Sequence, residues 1–281
     1  MVPGVTMTVT RLGEPDDMLR DCLAALAAQE GAQGEILLIE QKLDSDLRGA
    51  DFSNTRWRCR IIRARLPGLS AARNLALEEA GFDQVLFCDA DAVPHAGWAA
   101  AMQDALAQPG VAIVGSRILP RWTRRPPLLA RAQVVRDQLS LYDLGEDSRD
   151  VPRVVGAGFG LDRAHHPEEM RFDEALGRRD GRLFGGEESD LCQRVAAAGG
   201  RIVYVGGAVV DHVIQPERHR ARWILKRLFY AGLGRSQAGG APSPSRKPGL
   251  WDSLLLPVIL PPYALGWVRG RRGRQGGGGQ K

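Results

Sequence analysis

The chain has 281 residues, 44% hydrophobic and 25% charged, enough length and apolar content for one large core or two modest ones, which excludes disorder, collagen and coiled coil. The four cysteines (Cys22, Cys59, Cys88, Cys192) stand far apart with no CxxC pair or His/Cys cluster, arguing against a disulfide framework or structural zinc and for a reducing cytoplasm. The net charge of +5 conceals a division: residues 218–281 carry +12, with Asp252 their one acid, and residues 1–217 carry −7. A basic tail of this kind points to an anionic partner: membrane lipid, nucleic acid or a phosphorylated substrate. No basic n-region precedes the apolar run Val5 to Thr10, so no secretory signal peptide is expected.

The first 120 residues alternate apolar runs with amphipathic stretches, the pattern of βα units around a mostly parallel sheet. Val5 to Thr10 reads as the first strand, and Asp16 and Asp17 offer an N-cap to a helix whose Leu19, Cys22, Leu23 and Leu26 share one face. Glu35 to Glu40 is nearly all apolar between its acids, as expected of a strand covered on both faces, and Arg60 to Ala64 is a third strand. Ser70 can cap a helix running to Ala80, with Gly81 as its stop. A strand Gln84 to Asp89, a helix from about Gly97 to Ala107 and a strand Val111 to Ser116 follow.

Residues 117–150 carry Pro120, Pro126 and Pro127 and read as a long excursion with one helix around Leu128 to Leu141. Order returns at Arg153 to Gly160, then a helix from about Glu187 to Ala198, a strand Arg201 to Val205 and a strand-like Ala208 to Asp211. Arg218 to Arg235 is a basic helix, Ser236 to Gly249 a Ser/Pro/Gly linker, and Leu250 to Val268 an apolar stretch interrupted by Pro257, Pro261 and Pro262.

Ligands of an open α/β sheet bind beyond the carboxyl ends of its strands, and two acidic strings fall in such places. Asp89-Ala-Asp91 ends the fourth strand, and two carboxylates spaced i, i+2 can offer hard oxygen ligands to Mg²⁺ or Mn²⁺. A solvated turn with an Asp cap explains the same string structurally. Gly185-Gly-Glu-Glu188 opens a helix, where glycines let the backbone approach a ligand while carboxylates project into the cleft; complementing the helix dipole is the structural alternative. Gly156, Gly158 and Gly160 fit either a turn against a donor sugar or small residues in a core strand.

The order and spacing of Ser70-Ala-Ala-Arg-Asn-Leu-Ala76, Phe87 to Pro94, Gly185 to Arg194 and Val209-Val-Asp-His212 resemble the family 2 glycosyltransferases, over roughly Val5 to Arg235. That resemblance implies a GT-A fold, with a nucleotide-sugar-binding half over about 1–118, an acceptor and catalytic half over 119–217, and a basic C-terminal extension over 218–281. It implies that Asp91 and His212 bind a divalent Mn²⁺ or Mg²⁺, that Asp89 contacts the ribose or the metal shell, and that Glu188, next to Glu187, is the catalytic base. Glu40 and Arg73 match positions lining the nucleotide-base pocket, and Thr10, Asn74 and Gly186 join the donor-binding set. The family's usual strand endings are replaced by Thr10-Arg11-Leu12 and Glu40-Gln41-Lys42, both at the base pocket, so UDP, GDP and dTDP donors remain open.

The residue set suits a metal-assisted inverting displacement in which Glu188, kept anionic by its helix N-terminus, deprotonates an acceptor hydroxyl on a glycan, glycolipid or small glycoside. Asp89-Ala-Asp-Ala-Val93 also fits the nucleophile motif of haloacid-dehalogenase-like phosphatases, but the lysine that chemistry needs occurs downstream only in the basic tail (Lys226, Lys247, Lys281). A catalytically inactive GT-A-like membrane partner is a further alternative. The apolar stretch is barely long enough to span a bilayer and is broken by prolines, so it reads as an interfacial anchor on anionic lipid, on the inner face of the cell membrane. Nucleic-acid binding is not expected, since the basic residues lack a recognition motif or a ladder of aromatics.

Overall fold

The computed structural model describes residues 4–176, 185–237 and 249–276. In chain order the strands are β1 (Val5–Arg11), β2 (Gly34–Glu40), β3 (Trp57–Arg63), β4 (Gln84–Asp89), β5 (Ala92–Pro94), β6 (Val111–Trp122), β7 (Arg149–Asp150), β8 (Gly158–Asp162) and β9 (Arg201–Ile214). The helices are α1 (Asp16–Ala27), α2 (Leu69–Glu79), α3 (Trp98–Leu106), α4 (Gln133–Gln138), α5 (Glu187–Ala197), α6 (Ala221–Gln237) and α7 (Leu250–Gly276).

The strands form one sheet in the order β3-β2-β1-β4-β8-β6-β9-β5, with β7 beside β9. The first four are mutually parallel, β8 runs antiparallel between β4 and β6, and β6 is parallel to β9. The apolar run of β2 suits its interior place between β3 and β1, with helices on both faces. Ile36 and Leu38 face α1 and α3 in one core, with Leu19, Leu23, Trp98 and Met102, while Leu37 and Ile39 face α2 and α5 in another, with Ala72, Ala76, Leu191 and Val195. Alternate residues of a strand point to opposite faces, so only a sheet covered on both sides leaves no polar face on β2. A third core joins β6, β9, α4 and the C-terminal helices through Ile118, Tyr204, Val135, Ile224, Leu228 and Ile259.

Several local expectations change. Neither Asp16 nor Asp17 caps α1; Pro15 precedes it, and Asp16 turns back to Arg11. Ser70 does not cap α2 either: Gly68, at φ 151°, takes the capping position, and Ser70 Oγ donates to Leu176 O at 2.9 Å. The helix expected over Leu128 to Leu141 is split by extended Ala132 into a 3₁₀ turn, Leu128–Arg131, and α4. The strand read at Arg201 to Val205 and the strand-like Ala208 to Asp211 are one strand, β9, whose register against β6 shifts from Ser116–Val205 to Arg117–Val209, leaving Gly206, Gly207 and Ala208 as a bulge.

The largest difference is α7, which continues as one helix through Pro257, Pro261 and Pro262. Each interior proline removes a backbone donor and costs about 3 kcal/mol in isolation, so tertiary packing has to offset it. Gly232 of α6 lies against the Tyr263 carbonyl and Gly266 of α7 against the Phe229 carbonyl so closely that a Cβ at either would collide with backbone. Small residues thus let the two helices approach, and Ile259 is buried between α7 and the third core. No described helix is long and apolar enough to cross a membrane. The proposed linker over 236–249 falls mostly outside the described residues, as do residues 277–281.

Candidate active site

The connection from β1 through α1 to β2 leads one way along the sheet, and α2 returns to β4 on the other side of β1, opening a crevice at the carboxyl ends of β1 and β4. Register lines up the first residues of the site there: Arg11 sits opposite Glu40, and Thr10 opposite Asp89.

Arg11 closes the β2 side of this crevice. Its Nη1 donates to Glu40 Oε2 at 3.0 Å, its Nε and Nη2 donate to the Glu14 carbonyl at 2.8 and 2.6 Å, and Nη2 also pairs with Asp16. Burial opposes its charge, but Asp16 and Glu40 outweigh that and hold the guanidinium above its ordinary pKa. Glu40 is fully buried and also accepts the Lys42 backbone N–H at 2.8 Å. The acid expected at the nucleotide base is therefore engaged by its own chain, and Arg11 stands at that position.

The second cluster centres on Arg73. Its guanidinium lies 5.3 Å from the Phe159 ring centroid and 5.5 Å from that of Phe172, on a floor where Phe87 and Phe159 stack at 4.7 Å. Nη1 donates to Glu188 Oε1 at 2.8 Å and reaches Glu187 Oε1 at 3.4 Å, while Nη2 reaches Asp89 Oδ1 at 3.5 Å. Desolvation works against the buried cation, but Glu188, Asp89 and Glu187 together raise its pKa. Arg73 thus stands among the acids Asp89, Glu187 and Glu188. Glu187 points inward with 4% of its side chain exposed; Glu188 keeps 15%. Among described residues Glu188 accepts its side-chain hydrogen bond, from Arg73, at Oε1. Gly186 begins α5 at φ 121°, a conformation that favours glycine, with open space where a Cβ would stand.

Two polar residues beside these acids pair within the chain. Asn74 Nδ2 donates to Phe172 O at 3.0 Å and Glu174 Oε1 at 2.9 Å, and its Oδ1 accepts from Phe172 N at 2.8 Å, so the buried amide clamps the 172–174 segment. Asp190 pairs with Arg194 at 2.9 Å, one turn along α5. The glycines also divide: Cβ atoms at Gly158 and Gly160 would meet Ser116, Val210 and Leu86, but one at Gly156 would collide with Glu188 Oε1 and stand 2.7 Å from Arg73 Nη2.

The third cluster joins Asp91 to β9. Ala90 and Asp91 form a turn after β4, so the two acids of the DxD string do not share one face, and Asp89 goes to Arg73 while Asp91 goes to His212. Asp91 Oδ1 lies 3.2 Å from His212 Nε2, and Oδ2 accepts from Arg218 Nη2 at 2.8 Å and Gln215 Nε2 at 3.2 Å. Among the described residues no set of three His, Cys, Asp or Glu groups converges, and Asp89 turns to Arg73. For a divalent ion the fit is a carboxylate and an imidazole, with His212 Nδ1 buried and lacking a hydrogen-bond partner. One or two protein ligands completed by substrate phosphates and water is a common arrangement for such cations. Sequence reading missed Arg218 and Gln215. Pro216, just after the strand, was the signal that Arg218 belongs to a turn at the strand end and not to the basic helix.

The model of the family described as Glycosyl transferase family 2 matches residues 10–164, more than half of the chain. A pre-mycofactocin glycosyltransferase of Mycobacterium tuberculosis is 30% identical over 168 residues, 59% of this chain and 34% of its own length. A glucosyl-dolichyl phosphate glucuronosyltransferase of Haloferax volcanii is 25% identical over 174 residues, 60% of this chain and 55% of its own. The chain spans between a third and just over half the length of these relatives. The mannosyltransferase PcManGT from Pyrobaculum calidifontis, solved with GDP-Man and Mn²⁺, shares the fold with a TM-score of 0.60 at 18% identity, covering 100% of this chain and 77% of its own. The phosphatase alternative falls with the family match, and Asp89, its would-be nucleophile, faces Arg73. On a GT-A fold with a mostly parallel sheet, the chain belongs to the family 2 glycosyltransferases.

Proposed function

We propose that this enzyme transfers a sugar from a nucleoside diphosphate donor to an acceptor hydroxyl with inversion at the anomeric carbon, Glu188 acting as the base. The observation that carries this reading is the difference within the acid pair: Arg73 fixes Glu188 through Oε1 at 2.8 Å, and Glu188 keeps 15% of its side chain exposed where Glu187 keeps 4%, so Glu188 is the acid an acceptor hydroxyl can reach. Glu187 and Asp89 balance the charge on Arg73 and hold it in place. Asp91 and His212 would hold Mg²⁺ or Mn²⁺, which when bound supplies a Lewis acid for the charge developing on the departing diphosphate. With Glu40 sealed by Arg11, the base is recognised by other groups on the β1 and β2 ends, so uracil, guanine and thymine donors all remain candidates.

Thermal stabilisation by UDP-, GDP- and dTDP-sugars, with and without Mn²⁺, identifies the donor without knowledge of the acceptor. Glu188→Gln should retain that stabilisation and lose donor turnover; near wild-type turnover in the variant would remove Glu188 as the base. An inert enzyme with intact acids would instead favour the inactive-module reading.

The surface of α7 supports an acceptor held at a membrane. Leu250, Leu254, Leu256, Leu260, Leu265 and Val268 are all exposed on this helix, and Arg269 and Arg271 follow them. Apolar side chains beside arginines suit the headgroup boundary of an anionic bilayer. The basic extension over 218–281 thus anchors a catalytic unit over 1–217 to the inner face of the cell membrane, for a lipid-linked or envelope glycan acceptor. Flotation with vesicles containing anionic lipid, and none with purely zwitterionic vesicles, is expected; equal recovery without lipid binding would leave a soluble glycoside as the acceptor.

A further inference from the structure

Arg218 lies in the 3₁₀ turn Pro216–His219 between β9 and α6, and it is buried. Its Nη2 donates to Asp91 Oδ2 at 2.8 Å, its Nη1 lies 3.1 Å from His212 Nε2, and its face is 5.9 Å from the Trp223 ring at the start of α6. A guanidinium is a donor only, so His212 Nε2 accepts, and its single lone pair is held by Arg218 Nη1. Nε2 and Asp91 Oδ1 stand 3.2 Å apart, close to the roughly 3 Å that separates neighbouring ligands on an octahedral ion with bonds of about 2.1 Å, so a cation taking both would have to take that lone pair from Arg218. Two acceptors aimed at one point repel each other unless a positive charge lies between or beside them, and Arg218 is the charge present.

We propose that Arg218 is a resident counterion of the metal site, one that a divalent cation must displace and that couples cation binding to the arrival of the donor diphosphate. This rests on the assignment of Asp91 and His212 as metal ligands. With Arg218 in place the carboxylate is neutralised, and a second, doubly charged cation entering beside it meets a buried like charge. A nucleotide-sugar diphosphate brings two negative charges, which neutralise the cation and the released guanidinium together. Cation and nucleotide should therefore bind cooperatively, each weakly without the other. The device keeps Asp91 and His212 aligned before the donor arrives, since an unpaired buried Asp91 would be costly.

The test is Mn²⁺ affinity, read by electron paramagnetic resonance of free Mn²⁺ or by calorimetry, with and without UDP and GDP. Wild type is compared with Arg218→Ala, and with Arg218→Lys in case loss of the Asp91 partner impairs folding. The expected result is weak Mn²⁺ binding to wild type alone, a strong gain on adding nucleoside diphosphate, and binding about tenfold tighter than wild type in Arg218→Ala alone, with the nucleotide-dependent gain reduced. Arg218→Lys, a point charge without the fork, should fall between. Mn²⁺ binding by wild type with nucleotide, but no gain in folded Arg218→Ala or a loss in both variants, would overturn the counterion role and leave the metal site standing. Absence of Mn²⁺ binding in every protein, with or without nucleotide, would overturn the metal site itself.

Discussion

Substitution of Gly156 by alanine isolates the acid cluster from the rest of the fold. No left-handed φ is involved, so alanine is conformationally acceptable, and the effect is steric: the new Cβ would overlap Glu188 Oε1 and stand 2.7 Å from Arg73 Nη2. Restoring van der Waals separation requires the Glu188 carboxylate to retreat by roughly 1 Å or more. Overpacking of this kind costs about 1–3 kcal/mol, and a shift of that size in a catalytic group costs on the order of 100-fold in rate. Because a chain of this size loses about 2–4 °C of Tm per kcal/mol, a fall of several degrees should accompany the loss of turnover. Glu188→Asp withdraws the carboxylate by one methylene and makes room for the Cβ, so the double variant should recover part of the stability, with a coupling energy of about 1 kcal/mol. Gly207→Ala, whose Cβ meets open space, is the control and should melt with wild type. The measurements are thermal melts and donor turnover for the four proteins of the cycle. Wild-type stability and rate in Gly156→Ala, or strict additivity with Glu188→Asp, would refute the packing of Glu188 against this backbone.

Other expectations concern the scaffold. Burial of Glu35 disfavours its charge, but Arg60 at 2.8 Å, the Gly81 N–H and Thr6 outweigh that and hold its carboxyl below the ordinary range. Its contribution is therefore full above the unfolded carboxylate pKa and lost as pH falls through the lowered folded value. Glu35→Gln should destabilise by roughly 2 kcal/mol at pH 7, and urea melts should converge with wild type toward pH 3; a gap independent of pH would refute the ionic contribution. All four cysteines are buried and free, with burial pushing Cys59 up to about 11 and Cys192 up to about 12. At pH 8 the thiolate fraction of Cys59 is on the order of 0.001, so a thiol-specific reagent should titrate none of the cysteines in the native protein and all of them in urea. Rapid labelling of native protein would show that the cores open. Removing the Asn74 clamp with Asn74→Ala should cost about 1–3 kcal/mol through the unpaired Phe172 backbone, with donor stabilisation per bound ligand unchanged; loss of donor binding alone would return Asn74 to the donor site.

The parallel half of the sheet was legible because β2 and β4 are continuous apolar runs between helices of clear period, and a strand covered on both faces has no other pattern available. The acids were legible as types at strand and helix ends. Their partners were not. Asp89 and Asp91 read as a pair, yet the turn at Ala90 sends one to Arg73 and the other to His212, which lies far along the chain and reaches it through the β5–β9 register. Arg218 looked like the start of a basic helix, and Gly156 fitted a donor-side turn or core packing equally, because nothing local marks a contact made across the sheet. The prolines of α7 read as breaks, since an isolated helix cannot absorb them, whereas the glycine contacts with α6 are available only once both helices are present. Local sequence determined the strands, the helices and the chemical identity of the site, because periodicity and side-chain type act over a few residues. Tertiary structure decided which charges meet, because an ion pair buried between distant strands depends on register and crossover, which no single segment encodes.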